Sequence, residues 1–201
     1  MKKGMIIGLG ILGVVILGVI IMASSLIGSY NNFVTLDENV NKAFGDVQGQ
    51  YQRRADLIPN LVSTVKGAAD FEKSVLTQVT EARAKVGQYN VTPELINDPN
   101  KFKQFQAAQG ELSGALSRLL VTVESYPQLK SNENFLQLQA QLEGTENRIS
   151  VERRKFNEAV QIYNTEVKRF PGSMIAGMFG YMPKPYFEAE QGAEKAPKVA
   201  F

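Results

Sequence analysis

The sequence predicts an all-α protein in which one N-terminal transmembrane helix precedes an antiparallel bundle of three long helices and a short C-terminal helical or irregular tail. Two observations support this fold class. Residues 4–28 form an apolar segment without a charged residue, and roughly 20 such residues span a bilayer as a helix. After this segment, apolar residues recur every three or four positions over three long stretches, which is typical of helices that pack on one another.

The apolar segment over residues 4–28 is predicted to be a membrane anchor. It exceeds the core of a signal peptide, which has about 7–15 residues. Ala23 and Ser25 resemble a cleavage site, so a processed signal is the alternative. A buried core helix is disfavoured because no face of the segment is polar.

The charges that flank the anchor predict its orientation. Two lysines lie in residues 1–3, and the first cation after the anchor is Lys42. The positive-inside rule therefore places the N-terminus in the cytoplasm and the helical domain, residues 29–188, on the opposite side of the membrane. We expect residues 189–201 to form a mobile polar tail.

The first long helix is predicted to continue from the anchor to about Gly87, where glycine would end it. Pro59 lies inside this helix and has no N–H to donate to the carbonyl of Ala55, so we expect a kink near Pro59. The inward-facing positions step by three and four through Val40, Phe44, Val47, Tyr51, Arg54, Ile58, Leu61, Val65, Ala68, Glu72, Val75, Val79, Ala82 and Val86.

Two further helices follow a polar linker. Asp98-Pro99 is a typical helix start, Pro127 ends the second helix, Ser131 is a candidate cap for the third, and Pro171 stops it. The second seam comprises Phe102, Phe105, Gln109, Leu112, Leu116, Leu119, Val123 and Tyr126, and the third includes Phe135, Leu138, Leu142, Ile149, Phe156, Val160, Tyr163, Val167 and Phe170.

An arginine stands on the first seam, where a buried charge requires a carboxylate partner. We predict that Arg54 or Arg53 pairs with an acid of the third helix, and that Arg153 or Arg154 pairs with an acid of the first, most directly Asp56. The resulting structural polar lock comprises Arg53, Arg54, Asp56, Glu146, Glu152 and Arg153. A functional site at the same place is the alternative interpretation.

Three residue types are absent: the chain has no His, no Cys and no Trp. Imidazole bases, thiol nucleophiles and the usual zinc ligands are thereby excluded. We predict no catalytic site, no cofactor and no metal. The enzyme alternative would use Arg53, Arg54, Asp56 and Glu146 for acid–base chemistry, but a neighbouring arginine lowers a carboxyl pKa rather than raising it. The near balance of 22 basic and 20 acidic residues gives no indication of nucleic-acid binding.

An apolar stripe follows the third helix. It consists of Met174, Ile175, Met178, Phe179 and Met182. One interpretation is that the stripe docks on the end of the bundle. The other is an interaction patch for a second copy or another protein, since flexible methionines suit adaptable interfaces.

Three blocks of the sequence resemble the signature blocks of the LemA family. They are YQRRADLIPNLVSTVKG (residues 51–67), FLQLQAQLEGTENRISVERRKFNEAVQIYN (135–164) and FPGSMIAGMFGYMPKPYFE (170–188). The resemblance implies a helical bundle tethered to a bacterial membrane, with no known catalytic activity. One branch of the family resembles proteins needed to form magnetosome membranes, which implies membrane organisation or shaping.

These observations favour a membrane-anchored, non-enzymatic scaffold that self-assembles into a homo-oligomer. The alternative is an adaptor that binds a membrane peptidase or another membrane enzyme. Both functions would use the small residues of the second helix, which let another helix approach closely: Ala107, Ala108, Gly110, Ser113, Gly114, Ala115 and Ser117.

Overall fold

Helices make up most of the part that the structure, a computed structural model, describes: residues 2–67, 71–89 and 91–188. No strand occurs in these ranges, which confirms the all-α class. The helices are α1 (Lys2–Lys66), α2 (Lys73–Val86), α3 (Pro99–Val123), α4 (Pro127–Lys130), α5 (Glu133–Lys168) and α6 (Gly172–Phe179), with a 3-10 helix at Pro93–Asn97. The predicted tail, residues 189–201, and the seam position Ala68 lie outside the described residues.

The chain divides into two compact units. The anchor unit comprises residues 1–40 and 161–183, and the bundle unit comprises residues 41–160 and 184–201. The long helices α1 and α5 each contribute to both units.

The anchor unit contains the one helix among the described residues that is long and apolar enough to cross a membrane. Its large apolar side chains from Leu9 to Ile27 are exposed on every side of the helix. Since water would not favour such a surface, lipid is the environment that suits it. Beyond this stretch, Phe33 is fully buried, together with Tyr163 and Ile175 of the same unit.

In the bundle unit the first long helix is shorter than predicted. It ends at Lys66 and not near Gly87, and the remaining seam positions belong to a separate helix, α2. Gly67 follows directly after Lys66 and favours a break, because glycine is a poor helix former. The periodicity did not reveal the break because α2 buries Val75 and Val79 at the same spacing.

The reversal at Gly67 sets the direction of the next long helix. Phe44 of α1 lies beside Phe102 of α3, with ring centroids 6.3 Å apart. Ten residues further along α1, Arg54 bonds to Gln109, seven residues further along α3. The two helices α1 and α3 therefore run in the same direction. This is possible because α2, which lies between them in the sequence, runs in the opposite direction.

Helix α5 runs the opposite way. Its Phe156 lies 5.7 Å from Phe44, measured between ring centroids, whereas its earlier residue Glu146 contacts Arg54. The helices α1, α3 and α5 thus meet along the seams that the sequence predicts.

The sequence predicts a cap residue for α3 and another for α5, and the structure shows the predicted residue only at α3. Asp98 caps α3, because its Oδ1 accepts hydrogen bonds from the backbone N–H groups of Asn100 and Lys101 at 3.0 and 3.1 Å. At α5 the cap is Asn132 and not Ser131: the Oδ1 of Asn132 accepts from the N–H of Phe135 at 3.1 Å.

Candidate functional site

Arg54 lies at the centre of the bundle unit and is only 1% exposed. Its Nη1 donates to Oε2 of Glu146 at 2.7 Å and to Oγ of Ser113 at 2.8 Å, while its Nη2 donates to Oε1 of Gln109. The guanidinium also lies 5.3 Å from the ring centroid of Tyr51, within cation–π range. One arginine of α1 thereby connects α3 and α5.

The ion pair is asymmetric in its exposure to water. The side chain of Arg54 is buried, but that of Glu146 is 43% exposed. The seam of α5 passes through Thr145, which is buried, so Glu146 sits at the edge of the interface. The carboxylate therefore keeps part of its hydration, which reduces the desolvation cost that a fully buried pair would carry.

The structure does not bring the other acids of the predicted lock to an arginine of the opposite helix. Asp56 accepts a hydrogen bond from Gln52, its own neighbour on α1, at 2.8 Å. Glu152 pairs with Lys155 on α5 at 2.9 Å. Arg53 is exposed. Arg53 and Arg54 are adjacent in sequence but face different sides of α1, so Arg54 is buried and Arg53 is exposed to water.

Arg153 contacts the C-terminal segment and not Asp56, contrary to the prediction. Its Nη2 donates to the backbone carbonyl of Glu188 at 2.6 Å, and its guanidinium lies 4.9 Å from the ring centroid of Phe187. The prediction considered only pairs between long helices, whereas Phe187 and Glu188 of the C-terminal segment, residues 184–188, occupy this face of α5.

Two carboxamides hold this C-terminal segment in place. Asn157 donates to the carbonyl of Phe187 at 2.9 Å and accepts from its N–H at 2.8 Å. Gln106 bonds the carbonyl of Tyr186 at 3.3 Å and the N–H of Glu188 at 2.9 Å. The ring of Phe187 is buried between the aromatic rings of the bundle.

Pro59 lies inside α1, which continues to Lys66. The carbonyl of Ala55, which would bond the missing N–H of residue 59, instead accepts a hydrogen bond from Nε of Arg83 on α2 at 3.1 Å. The proline thus leaves an acceptor free for the neighbouring helix. The kink at Pro59 stays a prediction.

A groove of about 550 Å³ opens beside Arg54. Small residues of α3 form one wall, and Glu146 and Ile149 of α5 lie on the other side. Two buried polar groups at this groove have no hydrogen-bond partner: Nε of Arg54 and Nε2 of Gln109. The groove is lined by Tyr51, Arg54, Lys103, Gln106, Ala107, Gln109, Gly110, Glu111, Ser113, Gly114, Ser117, Glu146, Ile149, Arg153 and Glu188.

The sequence predicted the small residues of this wall but not their two orientations. Ala108 and Ala115 are buried inside the bundle, whereas Ala107, Gly110 and Gly114 are exposed. Gln109 and Ser113 as partners of Arg54 were missed, although Gln109 stands on the predicted seam. Among the described residues, no three carboxylates are grouped in a way that could hold a metal ion.

The apolar stripe of the anchor unit is divided between core and surface. Ile175 is buried, while Met174, Met178, Phe179 and Met182 are each more than half exposed. Burial therefore accounts for only one of the five members of the stripe.

Known proteins resemble this chain over most of its length. A family model described as the LemA family matches residues 43–201. The chain belongs to the LemA family. The predicted resemblance is confirmed, and the matched region includes every residue of the groove.

Three relatives extend this assignment. The magnetosome protein MamQ 2 of Paramagnetospirillum magneticum is 27% identical over 187 residues, which cover 85% of this chain and 69% of that protein. MamQ of Magnetospirillum gryphiswaldense is 26% identical over the same coverage. Protein LemA of Metamycoplasma hominis is 21% identical over 165 residues, covering 82% of this chain and 71% of that protein. This member of the family is a helical protein associated with a bacterial membrane.

Proposed function

We propose that this LemA-family protein is a membrane-anchored, non-enzymatic scaffold that assembles through the groove beside Arg54. The observation that carries the proposal is the wall of exposed small residues on α3 that lines this groove.

The wall of the groove has the dimensions that a second helix requires. A Cβ atom placed on Gly110 or Gly114 would meet no other atom within 4 Å. Ala107, Gly110, Gly114 and Ser117 follow one another at steps of three, four and three, so they form a continuous stripe along α3. Small residues at this spacing allow two helix backbones to approach closely.

A second copy of α3 fits this stripe better than an unrelated helix does. The steps of three, four and three read the same in both directions. In an antiparallel pair related by a twofold axis, Gly110 would therefore face Gly114 of the other copy, and Ala107 would face Ser117.

Two further points support the scaffold over an enzyme. The buried charge of the groove is an arginine that is already paired with Glu146, and the chain contains no His or Cys to act as a base or nucleophile. The relatives named as magnetosome proteins support a role in membrane organisation.

The test is the mass of the full-length protein in nanodiscs, measured by light scattering with the lipid contribution subtracted. We expect a mass above the 22.2 kDa of one chain, and we expect Gly114→Leu to reduce it by filling the groove. Gly49→Leu is the matched control, because Gly49 is an exposed glycine of α1 and a Cβ atom placed on it would meet nothing within 4 Å. Both substitutions replace a helical glycine with a better helix former, so neither should unfold the bundle.

The outcomes separate the possible functions. Loss of assembly in Gly114→Leu but not in Gly49→Leu supports the groove as the interface. An oligomer that survives both substitutions excludes this interface. A wild-type monomer excludes self-assembly and favours the adaptor, for which co-purification of one membrane protein at a fixed ratio is the next measurement.

The proposal also includes the orientation, with the N-terminus in the cytoplasm and the bundle outside, as the lysines at positions 2 and 3 indicate. Because the chain has no Cys, a single Ser63→Cys variant, at an exposed position of α1 in the bundle unit and outside the groove, gives an unambiguous reading. Labelling of intact cells, after removal of any outer membrane, by a membrane-impermeant maleimide is expected. Labelling only after lysis would reverse the orientation.

A further inference from the structure

The anchor unit presents a second apolar surface, on a part of the chain that is distant in sequence from the apolar segment of α1. We define the apolar platform as the exposed residues on and around α6: Phe170, Met174, Met178, Phe179 and Met182. Each of these side chains is more than half exposed, whereas Ile175 and Ala176 on the opposite face of α6 are buried. The short helix is therefore fixed by one face and leaves the other uncovered.

We infer that the apolar platform lies in the surface of the lipid bilayer that α1 crosses. The predicted span ends at Gly28, and Tyr30 follows two residues later, about 3 Å further along the helix axis. The ring of Tyr30 lies 4.8 Å from the ring of Phe179, measured between centroids. This contact holds the end of α6 at the level where the apolar part of α1 stops.

A second aromatic contact sets the level of the segment after α6. Tyr181 stacks on Phe33, with centroids 5.0 Å apart and planes inclined by 16°. It also lies 6.4 Å from Tyr30. Tyrosines collect at the boundary between lipid and water, where a ring is apolar and its hydroxyl can remain hydrated. Tyr30 and Tyr181 are placed as such a belt.

Charge distinguishes lipid from water as the environment of the platform. No charged residue occurs from Phe170 to Pro183. Immediately before this stretch, Lys168, the last residue of α5, and Arg169 are both exposed. An apolar helix face next to cations is the arrangement that seats a helix among anionic headgroups, with its apolar side in the boundary of the acyl chains.

A protein partner is a weaker explanation for the same surface. The platform is continuous with exposed apolar side chains of the span, such as Ile27, through the contact of Phe179 with Tyr30. A partner covering the platform would therefore also have to occupy the lipid boundary. The bilayer needs no further component, because it is already present wherever α1 is inserted.

The absence of Trp from the chain makes a direct test possible. Full-length protein with Met178→Trp is placed in nanodiscs of phosphatidylcholine and phosphatidylglycerol, with or without lipids that carry a quencher near the headgroup end of the chain. We expect blue-shifted emission and at least about twofold stronger quenching than for Leu136→Trp, as for a side chain at the acyl boundary. Leu136 is an exposed apolar residue of α5 in the bundle unit, lies outside the groove and is the matched control.

Tryptophan itself prefers the membrane interface, so a second variant tests the same position without introducing a tryptophan. Met178→Cys is treated with a charged maleimide in the same nanodiscs, beside Leu136→Cys. We expect at least about tenfold slower labelling at position 178, since the reagent does not enter the acyl region. Equal labelling rates would overturn the inference. So would a blue-shifted tryptophan at 178 that lipid quenchers do not reach, because that result would show a protein contact.

Discussion

Replacing Arg54 with alanine is expected to destabilise the bundle unit by about 2–4 kcal/mol. Gln109 is 5% exposed, and its Oε1 would lose the donor that Arg54 supplies. A buried polar group left without a partner costs about 1–3 kcal/mol. Loss of the packed arginine stem adds about 1 kcal/mol. Glu146 adds little, because its side chain is 43% exposed and can be hydrated.

Thermal unfolding of the full-length protein in detergent, followed by circular dichroism, measures this cost. For a chain of this size each kcal/mol lowers Tm by about 2–4 °C, so we expect a decrease of about 5–15 °C. Arg53→Ala is the control: it removes the same side chain from the adjacent, exposed position and should change the free energy of unfolding by less than about 0.5 kcal/mol.

A double variant tests the reasoning about Gln109 separately. If the orphaned carboxamide carries much of the cost, Arg54→Met combined with Gln109→Leu should be more stable than Arg54→Met alone. Equal effects of Arg54→Ala and Arg53→Ala would refute the idea that Arg54 locks three helices together. The predicted polar lock would then be an incidental contact.

Three further predictions concern other parts of the chain. Gly172→Ala should lower the free energy of unfolding by about 1–3 kcal/mol, because its Cβ would lie 2.6 Å from the carbonyl oxygen of Glu166; Gly177→Ala, with open space around it, should not, and equal losses would contradict this reasoning. Phe187→Ala should cost about 3–5 kcal/mol in urea unfolding by removing a buried ring, and a loss below about 1 kcal/mol would show that the C-terminal segment is not part of the core. Burial, with smaller contributions from Asp37 and Tyr181, raises the pKa of Tyr163 from 10.0 to about 12. The folded state therefore keeps the phenol proton to higher pH than the unfolded state, and stability falls as pH rises from about 10 to 12. Tyr163→Phe should make this fall in Tm shallower, and an unchanged slope would refute the assignment.

Pattern reasoning was sufficient for most positions that face inward. The predicted seam positions Glu72 and Phe170 are exposed, because they lie beyond the ends of α2 and α5. The seam predicts that Arg54 is buried and Arg53 is not, because the period of a helix assigns each position to a face regardless of its neighbours in space. The sequence also predicts Asp98 as a helix cap. An aspartate can accept hydrogen bonds from the backbone N–H groups of the first turn, and the proline that follows it fits the first helical position.

The sequence left the choice of partners open. Glu146 and Glu152 both stand near the third seam, and only the direction of α5 against α1 brings Glu146 to Arg54. Arg153 turns to Glu188, which is 35 residues distant in sequence. Which acid reaches which arginine depends on the relative register of helices, and register is a property of the assembled bundle.

The sequence by itself determined the long apolar segment, the helical class and most of the inward face of each helix, because these follow from composition and from a period of three to four residues. Only the tertiary structure decided where the first helix ends, since α1 and α2 carry one uninterrupted period across the break at Gly67. It also decided that α1 and α3 run in parallel and that Arg83 takes the carbonyl freed by Pro59. The physical reason is that periodicity records which side of a helix is buried, whereas chain reversal and long-range contacts depend on what the other helices place there.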